Sequence, residues 1–369
     1  MPLQIKIRRD SSGDFETANT VLADGEIALE TDTGKMKVGN GSTAYNSLQF
    51  VTEDAARVLF VAMQGTVSGY VAGGLTPSTT DAIDKYSFVN SNNATDVGNL
   101  AVVTQVGGGF SSPTHGILSG GRSGDSSVQN QKWSFSSDGN AAQLSVSPFE
   151  YGGYWHSVSS PDTGFDVGGS RRLDDPTTPT INPNSGRSSR ISKFLFASEV
   201  SSNAGVTLTS SRAFGSGAAS ATHGYSVGGS TGTGPVVSTN IIEKFSFTAT
   251  SGTASDVGDL AQPAIDATAG NSSSEKGYVT GGNASGIVNT IQSFPFASDS
   301  NSSDGGDLIA ANSNHSGSNS TTKGYAAGGV YSPAMEVIQS YPFANNSNAT
   351  DLGNLATKRK YANYGNIQI

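Results

Sequence analysis

Residues 222–230 read THGYSVGGS, a stretch that ends in a glycine doublet and has close copies along the chain. Six copies align on the doublet: GYVAGG at 69–74, GILSGG at 116–121, GFDVGG at 164–169, GYSVGG at 224–229, GYVTGG at 277–282 and GYAAGG at 324–329. The second glycines, Gly74, Gly121, Gly169, Gly229, Gly282 and Gly329, lie 47 to 60 residues apart. A phosphate loop needs a lysine and a Ser or Thr after its glycines, opening a helix. No copy has them, so the doublet reads as close strand packing with a period.

Two further elements share that period. An aromatic strand follows each doublet: IDKYSF at 83–88, QKWSF ending at Phe135, ISKFLF at 191–196, IEKFSF at 242–247, IQSFPF at 291–296 and IQSYPF at 338–343. Its aromatics are two residues apart and share one strand face. ATDVGNL at 94–100 returns as ASDVGDL at 254–260 and ATDLGNL at 349–355, with a degenerate SDGGDL at 303–308. Asp before a glycine-containing turn caps backbone amides, which accounts for its recurrence without chemistry. The interval from the closing leucine to the next GY strand has room for a fourth strand. Four short antiparallel strands at this period predict a six-bladed β-propeller, in which radial stacking buries both faces of each sheet. Residues 356–369 stop short of another GY strand and are expected to supply the innermost strand of the first blade.

Composition agrees with an all-β chain. Of 369 residues, 35% are hydrophobic and 14% charged, which leaves a large share of turn-forming Gly, Ser, Thr and Asn and predicts almost no helix. There is no cysteine, hence no disulfide or thiol chemistry. A net charge of −9 argues against a nucleic-acid partner, and no apolar run is long enough to span a membrane. The first residues, MPLQIKIRRD, carry charge where a signal peptide is apolar.

The order of elements resembles the kelch repeat over roughly residues 60–369, in the variant found in tail and fibre proteins of marine bacteriophages. Pro295 and Pro342 inside the aromatic strand and the lack of a regular tryptophan depart from the usual kelch pattern, and the prolines predict an edge or bulge. Residues 1–57 lie outside the repeat. Their LQIKI strand, the hairpin around DTG at 32–34 and the stretch LADGEIALETDTGKMKVGNGSTAYNSL resemble the N-terminal β module of phage fibres and receptor-binding proteins. The resemblance implies a homotrimer, attached through this module to other virion proteins of tail or neck. So small a piece is also helped by oligomerisation on physical grounds. The expected division is therefore an attachment and trimerisation module at 1–57, with VTEDAARVLF as connector, and a propeller at 58–369.

His115 and His223 share a register with Ser68, Thr163, Lys276 and Lys323, which argues against a catalytic or metal-ligating role. The loop 299–307 offers oxygen ligands but misses the calcium-loop spacing. No carboxylate pair marks a glycosidase, so no catalytic residue, metal or cofactor is expected.

Two departures from the repeat carry more information. The longest spacing holds SRRLDDPTTPTINPNSGRSSR at 170–190, with Arg171, Arg172, Arg187 and Arg190. The preceding repeat has extra length around PFEYGGYWH, with Tyr151, Tyr154 and Trp155. Ring faces stack on sugars while polar groups bind hydroxyls, so Tyr151, Tyr154, Trp155, Arg171, Arg172 and Arg187 are the candidate ligand residues. The other reading has the rings filling the interface between blades two and three. Lys6, Arg8 and Arg9 are the candidate attachment residues, or the solvated face of the first strand. The functional expectation is a non-enzymatic tail fibre or spike on the virion whose propeller meets a host surface glycan or receptor. Its alternatives are a purely structural virion component, a polysaccharide-degrading tailspike and, outside phages, a cellular kelch protein.

Overall fold

The computed structural model describes residues 7–51, 64–124, 126–144, 152–171, 186–231, 237–263, 269–283, 285–329 and 334–369. The chain forms two compact units, Met1–Phe60 and Val61–Ile369. The division expected between residues 57 and 58, and most of the connector, lie outside the described residues.

In the first unit a three-stranded sheet pairs Arg8–Asp10 in parallel with Ile27–Glu30, which forms an antiparallel hairpin with Met36–Val38. The expected DTG turn closes that hairpin, with the Gly34 amide bonded to the Glu30 carbonyl. The expected strand around LQIKI falls largely on residues 1–6, outside the described set. One feature was not foreseen: a helix at Ser12–Ala18, started by the Ser11 side chain accepting from the Asp14 amide. It carries Phe15 onto the Tyr45 ring, 4.7 Å away, in a core completed by Leu22 and Ala28.

The second unit is all-β in its described residues and repeats one antiparallel sheet. In the fourth copy, Ser216–Ala219, His223–Val227, Ile241–Ser246 and Ser255–Asp259 lie side by side in chain order. The other copies keep that order, and the third adds a fifth strand at its outer edge. The first copy has three strands of its own; the C-terminal tail lies along its open edge, where the Ile369 amide donates to Ser68 and the Tyr70 amide to Ile367. On its other side the tail reaches the second sheet, through the Tyr364 amide and Gly107. Inner strands of successive sheets are neighbours from Gly108–Ser111 through His156–Ser159, Ser216–Ala219 and Ala269–Ser272 to Ser316–Asn319. The last of these packs against Ser68–Ala72 of the first sheet.

Aromatic residues bind each sheet to the next. The ring of the GY strand stacks on the second aromatic of the following sheet: Tyr70 on Phe135, Phe165 on Phe247, Tyr225 on Phe296, Tyr278 on Phe343, and Tyr325 back onto Phe88. Centroid separations run from 4.5 to 5.1 Å, the offset-stacked range for aromatic pairs. Between sheets two and three Ile117 stands at the tyrosine position, and Phe110 of the inner strand faces Phe194 instead.

The glycine doublet is geometry. Both glycines of every copy have positive φ, as at Gly228 (60°) and Gly229 (94°), a region L side chains avoid. The glycine before the aromatic is constrained by space, since a Cβ on Gly224 would lie 2.4 Å from the Phe245 ring. Pro295 and Pro342 end interior strands rather than edge strands. Both lie beyond the last outer-strand pairs, Ser293 with Ser303 and Ser340 with Thr350.

Candidate functional site

Most charge that could do chemistry inside the repeat unit is committed to holding sheets together. In five of the six sheets a polar residue stands two before the first ring of the aromatic strand, and its oxygen accepts a backbone N–H from the segment that leads out of the preceding sheet. Asp84 takes Ala356, Gln131 takes Val102, Glu243 takes Thr209, Gln292 takes Gln262 and Gln339 takes Ile309, at 2.6 to 2.9 Å. In the two carboxylates the other oxygen meets a buried arginine: Asp84 Oδ1 pairs with Arg359 at 2.7 Å and Glu243 Oε2 with Arg212. Each arginine also donates from Nη1 to the first doublet glycine and to the residue before the aromatic strand, Arg359 to Gly73 and Ala82, Arg212 to Gly228 and Ile241. Burial pushes the Asp84 carboxyl up against the opposing pull of Arg359, and pushes the Arg212 guanidinium down to about 10.

The repeated Asp is a turn cap in each case: Asp96, Asp256, Asp304 and Asp351 accept from Gly98, Gly258, Gly306 and Gly353. In the loop weighed as a calcium site, Asp299 pairs with Lys244 and Asn301 accepts the Asp259 amide. No cluster of three metal-ligating side chains occurs among the described residues.

The linkers entering the inner strands build a different arrangement. Val106, Tyr154, Phe214, Asn314 and Tyr361 occupy corresponding places in five of them, and all sit in the left-handed region with φ of 55–63°. Their amides pass a hydrogen bond from one linker to the next: Tyr361 to Asn314, Val106 to Tyr361, Tyr154 to Val106 and Phe214 to Tyr154. The corresponding linker of the fifth sheet, 264–268, lies outside the described residues. Non-glycine residues in this region each cost on the order of 1–2 kcal/mol, so the hydrogen-bonded circuit and its packing must hold them there. The result is a half-buried aromatic cluster. Tyr154 lies 4.4 Å from Phe214 and 6.2 Å from Tyr364, with the Arg122 guanidinium over its ring at 5.7 Å. Lys360 lies over Tyr361.

The two stretches singled out by spacing meet here. Gly152–Gly153 pairs antiparallel with Ser170–Arg171, and Ser170 bridges on to Arg187. The residue before Tyr154, Gly153, and Arg187 thus flank Ser170 on either side, and burial lowers the Arg187 pKa. Trp155 belongs to the packed interior: it is 4% exposed, and a Cβ at Gly108 or Gly169 would come within 2.7 or 2.9 Å of it. Its ring therefore offers no open face, which removes it from the surface candidates. His156 is likewise buried, its Nε2 2.7 Å from Ser226 Oγ, and burial pushes it down to about 3. Tyr151, Arg172 and the Arg171 side chain lie outside what the structure describes. Phe214 and Tyr361 were not anticipated; their shared signal is six residues after a closing leucine, Leu208 and Leu355.

In the first unit, Arg8 bonds Thr20 and pairs with Glu26 at 3.6 Å, while Arg9 is exposed and Lys6 is outside the described residues. Lys37 is buried, donates to the Tyr45 carbonyl and lies over the Tyr45 and Phe50 rings. Between inner strands of the second unit is a polar cavity of about 20 Å³ edged by Ser157, Gly217, Ser272, Asn319 and Gln368. That is room for about one water, too little for a sugar.

These features define an all-β repeat protein whose buried charge serves the fold and which carries half-buried aromatic groups beside Arg122 and Lys360. Comparison with known proteins adds the setting. Residues 5–43 match the family described as Major tropism determinant N-terminal domain. Over 52 residues the chain is 35% identical to a hyaluronoglucosaminidase of Streptococcus pyogenes phage H4489A, a match that spans 14% of this chain and 14% of that protein. Both similarities point to a component of the phage virion tail. No helix among the described residues is long and apolar enough to cross a membrane.

Proposed function

We propose that this chain is a tail fibre or spike subunit in which the six sheets form a six-bladed, kelch-like propeller that recognises the host surface, while the N-terminal module attaches it to other virion proteins and assembles as a homotrimer. The observation that carries the reading is the half-buried cluster of Tyr154, Phe214 and Tyr361, with Arg122 over the Tyr154 ring and Lys360 over the Tyr361 ring. In a propeller these linkers surround the axis, so the cluster would lie at one mouth of the channel. Rings beside cationic groups suit a glycan. Three copies on one fibre would raise a weak contact through effective concentration. The reading is non-enzymatic: Asp84 and Glu243 are each spent on an arginine and a linker amide, and the hyaluronidase similarity covers a small part of that protein.

The test replaces two rings without disturbing the backbone. Asn tolerates the left-handed region, and the sixth sheet already carries Asn314 at this position. Particles carrying Tyr154→Asn and Tyr361→Asn should adsorb to host cells at least tenfold more slowly, with the melting temperature of the purified chain little changed. Normal adsorption by this variant would favour a purely structural virion role.

A further inference from the structure

The inter-sheet clefts at the other end of the repeat unit are not equivalent, and two of them share a construction the others lack. Between sheets two and three a cleft of about 490 Å³ is edged by His115, Ile117, Lys132, Asp162, Phe196 and Glu199. Between sheets four and five a cleft of about 620 Å³ is edged by His223, Tyr225, Lys244, Glu275 and Phe296. Both volumes fall in the range of small-molecule sites.

The chemistry repeats residue by residue. In each cleft a serine hydroxyl, Ser112 or Ser220, accepts the histidine amide, and a threonine, Thr114 or Thr222, lies 2.8 Å from the imidazole Nδ1. That contact fixes the ring and leaves Nε2 as its other polar atom. In each, the lysine of the aromatic strand pairs with a carboxylate of the next sheet, Lys132 with Glu199 and Lys244 with Asp299. In each, a half-buried phenylalanine forms a wall. The threonine–histidine pair occurs at these two of the six corresponding loops, since Ser68, Thr163, Lys276 and Lys323 take the histidine position elsewhere. A lysine–carboxylate pair alone, as in Lys85 with Asp138, acts as an inter-sheet staple; the added histidine beside an open cleft is what these two interfaces share.

We propose that these clefts are two equivalent subsites, each binding one uncharged pyranose residue of a surface polysaccharide. The apolar wall suits the C–H face of a sugar, and the bridged lysine and carboxylate present donors and acceptors side by side to vicinal hydroxyls. Lys132 and Lys244 are already matched by carboxylates, and Lys276, which also edges the second cleft, follows Glu275 there, so neither cleft carries an excess of cations and both select against anionic sugars. Burial, reinforced by the neighbouring lysine, lowers both histidine pKa values, so the imidazoles meet the sugar neutral, able to donate or accept. Two subsites on one chain would bind two points of a repeating polymer and gain from effective concentration before any oligomer forms. The proposal rests on the reading of this chain as a surface-recognition protein and names a ligand class and a place for it.

The four histidines provide the measurement, because His156 and His315 are buried. The full chain, labelled with ¹³C at histidine Cε1, is titrated with the methyl glycosides of glucose, galactose, mannose and N-acetylglucosamine. At least one glycoside should shift the His115 and His223 signals saturably, with midpoints within about threefold, while His156 and His315 stay fixed. Phe196→Ala should weaken the His115 response at least tenfold and spare His223, and Phe296→Ala should do the reverse. Glu199→Gln and Asp299→Asn, at accessible positions, repeat the test if an alanine variant fails to fold. Silence of both signals with all four glycosides, or one substitution abolishing both responses, overturns the proposal. Silent clefts in a chain that still adsorbs to host cells remove these subsites and leave the recognition reading standing. Responding clefts in a chain that never contacts the host keep the subsites and remove that reading.

Discussion

Exchanging the buried ion pair that joins the tail to the first sheet for a neutral pair is the sharpest test of how the repeat unit closes. Arg359 and Asp84 are at most 1% exposed, meet at 2.7 Å, and each has further bonds. Arg359 donates to Gly73 and Ala82, and Asp84 accepts the Ala356 amide. Removing one partner leaves a buried, uncompensated charge, which costs about 3–5 kcal/mol, a fifth or more of a typical domain stability of about 5–15 kcal/mol. The same fold contains an uncharged solution one sheet away. There Asn312 Nδ2 donates to Gly328 at 2.9 Å, and Gln339 Oε1 accepts the Ile309 amide at 2.6 Å. Arg359→Asn and Asp84→Gln should therefore each destabilise by about 3–5 kcal/mol alone, while the double variant should return to within about 1–2 kcal/mol of the parent, because no charge remains unmatched. Equilibrium guanidinium unfolding of all four proteins completes the cycle. Additive losses would refute the reasoning, as would a single variant costing under 1 kcal/mol.

Acid should act through the buried imidazoles. Burial pushes His156 down to about 3 and His315 to about 4, against an unfolded value near 6.5, so below about pH 6.5 the unfolded chain takes up protons that the folded chain refuses. Stability is then lost as pH falls, with each histidine adding a slope of about 1.4 kcal/mol per pH unit. His156→Gln and His315→Gln should flatten the decline of stability between pH 6 and 4; an unchanged slope would mean neither residue governs it. Glycines with positive φ should divide by available space. Gly139→Ala meets nothing within 4 Å and should cost about 1 kcal/mol of backbone strain, whereas Gly281→Ala brings a Cβ 2.2 Å from the Asn312 carbonyl and should cost about 3 kcal/mol or more in thermal or chemical denaturation.

Those glycines also mark the boundary between what the amino-acid order discloses and what it hides. Where a backbone position admits one residue type, the order discloses it. The doublets need two glycines at positive φ, so the period is plain in all six copies, and the aspartate caps and paired aromatics recur for equally local reasons. Where a position is defined by an atom that several residues can supply, the pattern blurs. Asp84, Gln131, Glu243, Gln292 and Gln339 do one job, offering an oxygen to a linker amide, yet read as unrelated polar residues in an apolar strand. The helix at Ser12–Ala18 was overlooked for another reason: its Ser11 and Asp14 cap stands in a segment whose surroundings read as strand and turn. The linker positions are the extreme case. Val106, Phe214, Asn314 and Tyr361 each stand six residues after a closing leucine, but with Tyr154 they share only a dihedral angle and a hydrogen bond between linkers, so the leucine marks the place and their own side chains do not. That freedom is also their use: the backbone circuit specifies the place and leaves the side chain open, so rings can be exchanged there while the sheets beneath stay the same. The threonine–histidine pairs follow the same logic at the opposite end, where one loop geometry accepts Ser68, Lys276 or His223. On the proposed recognition role, selection for a different surface ligand would change these positions first and the glycines last.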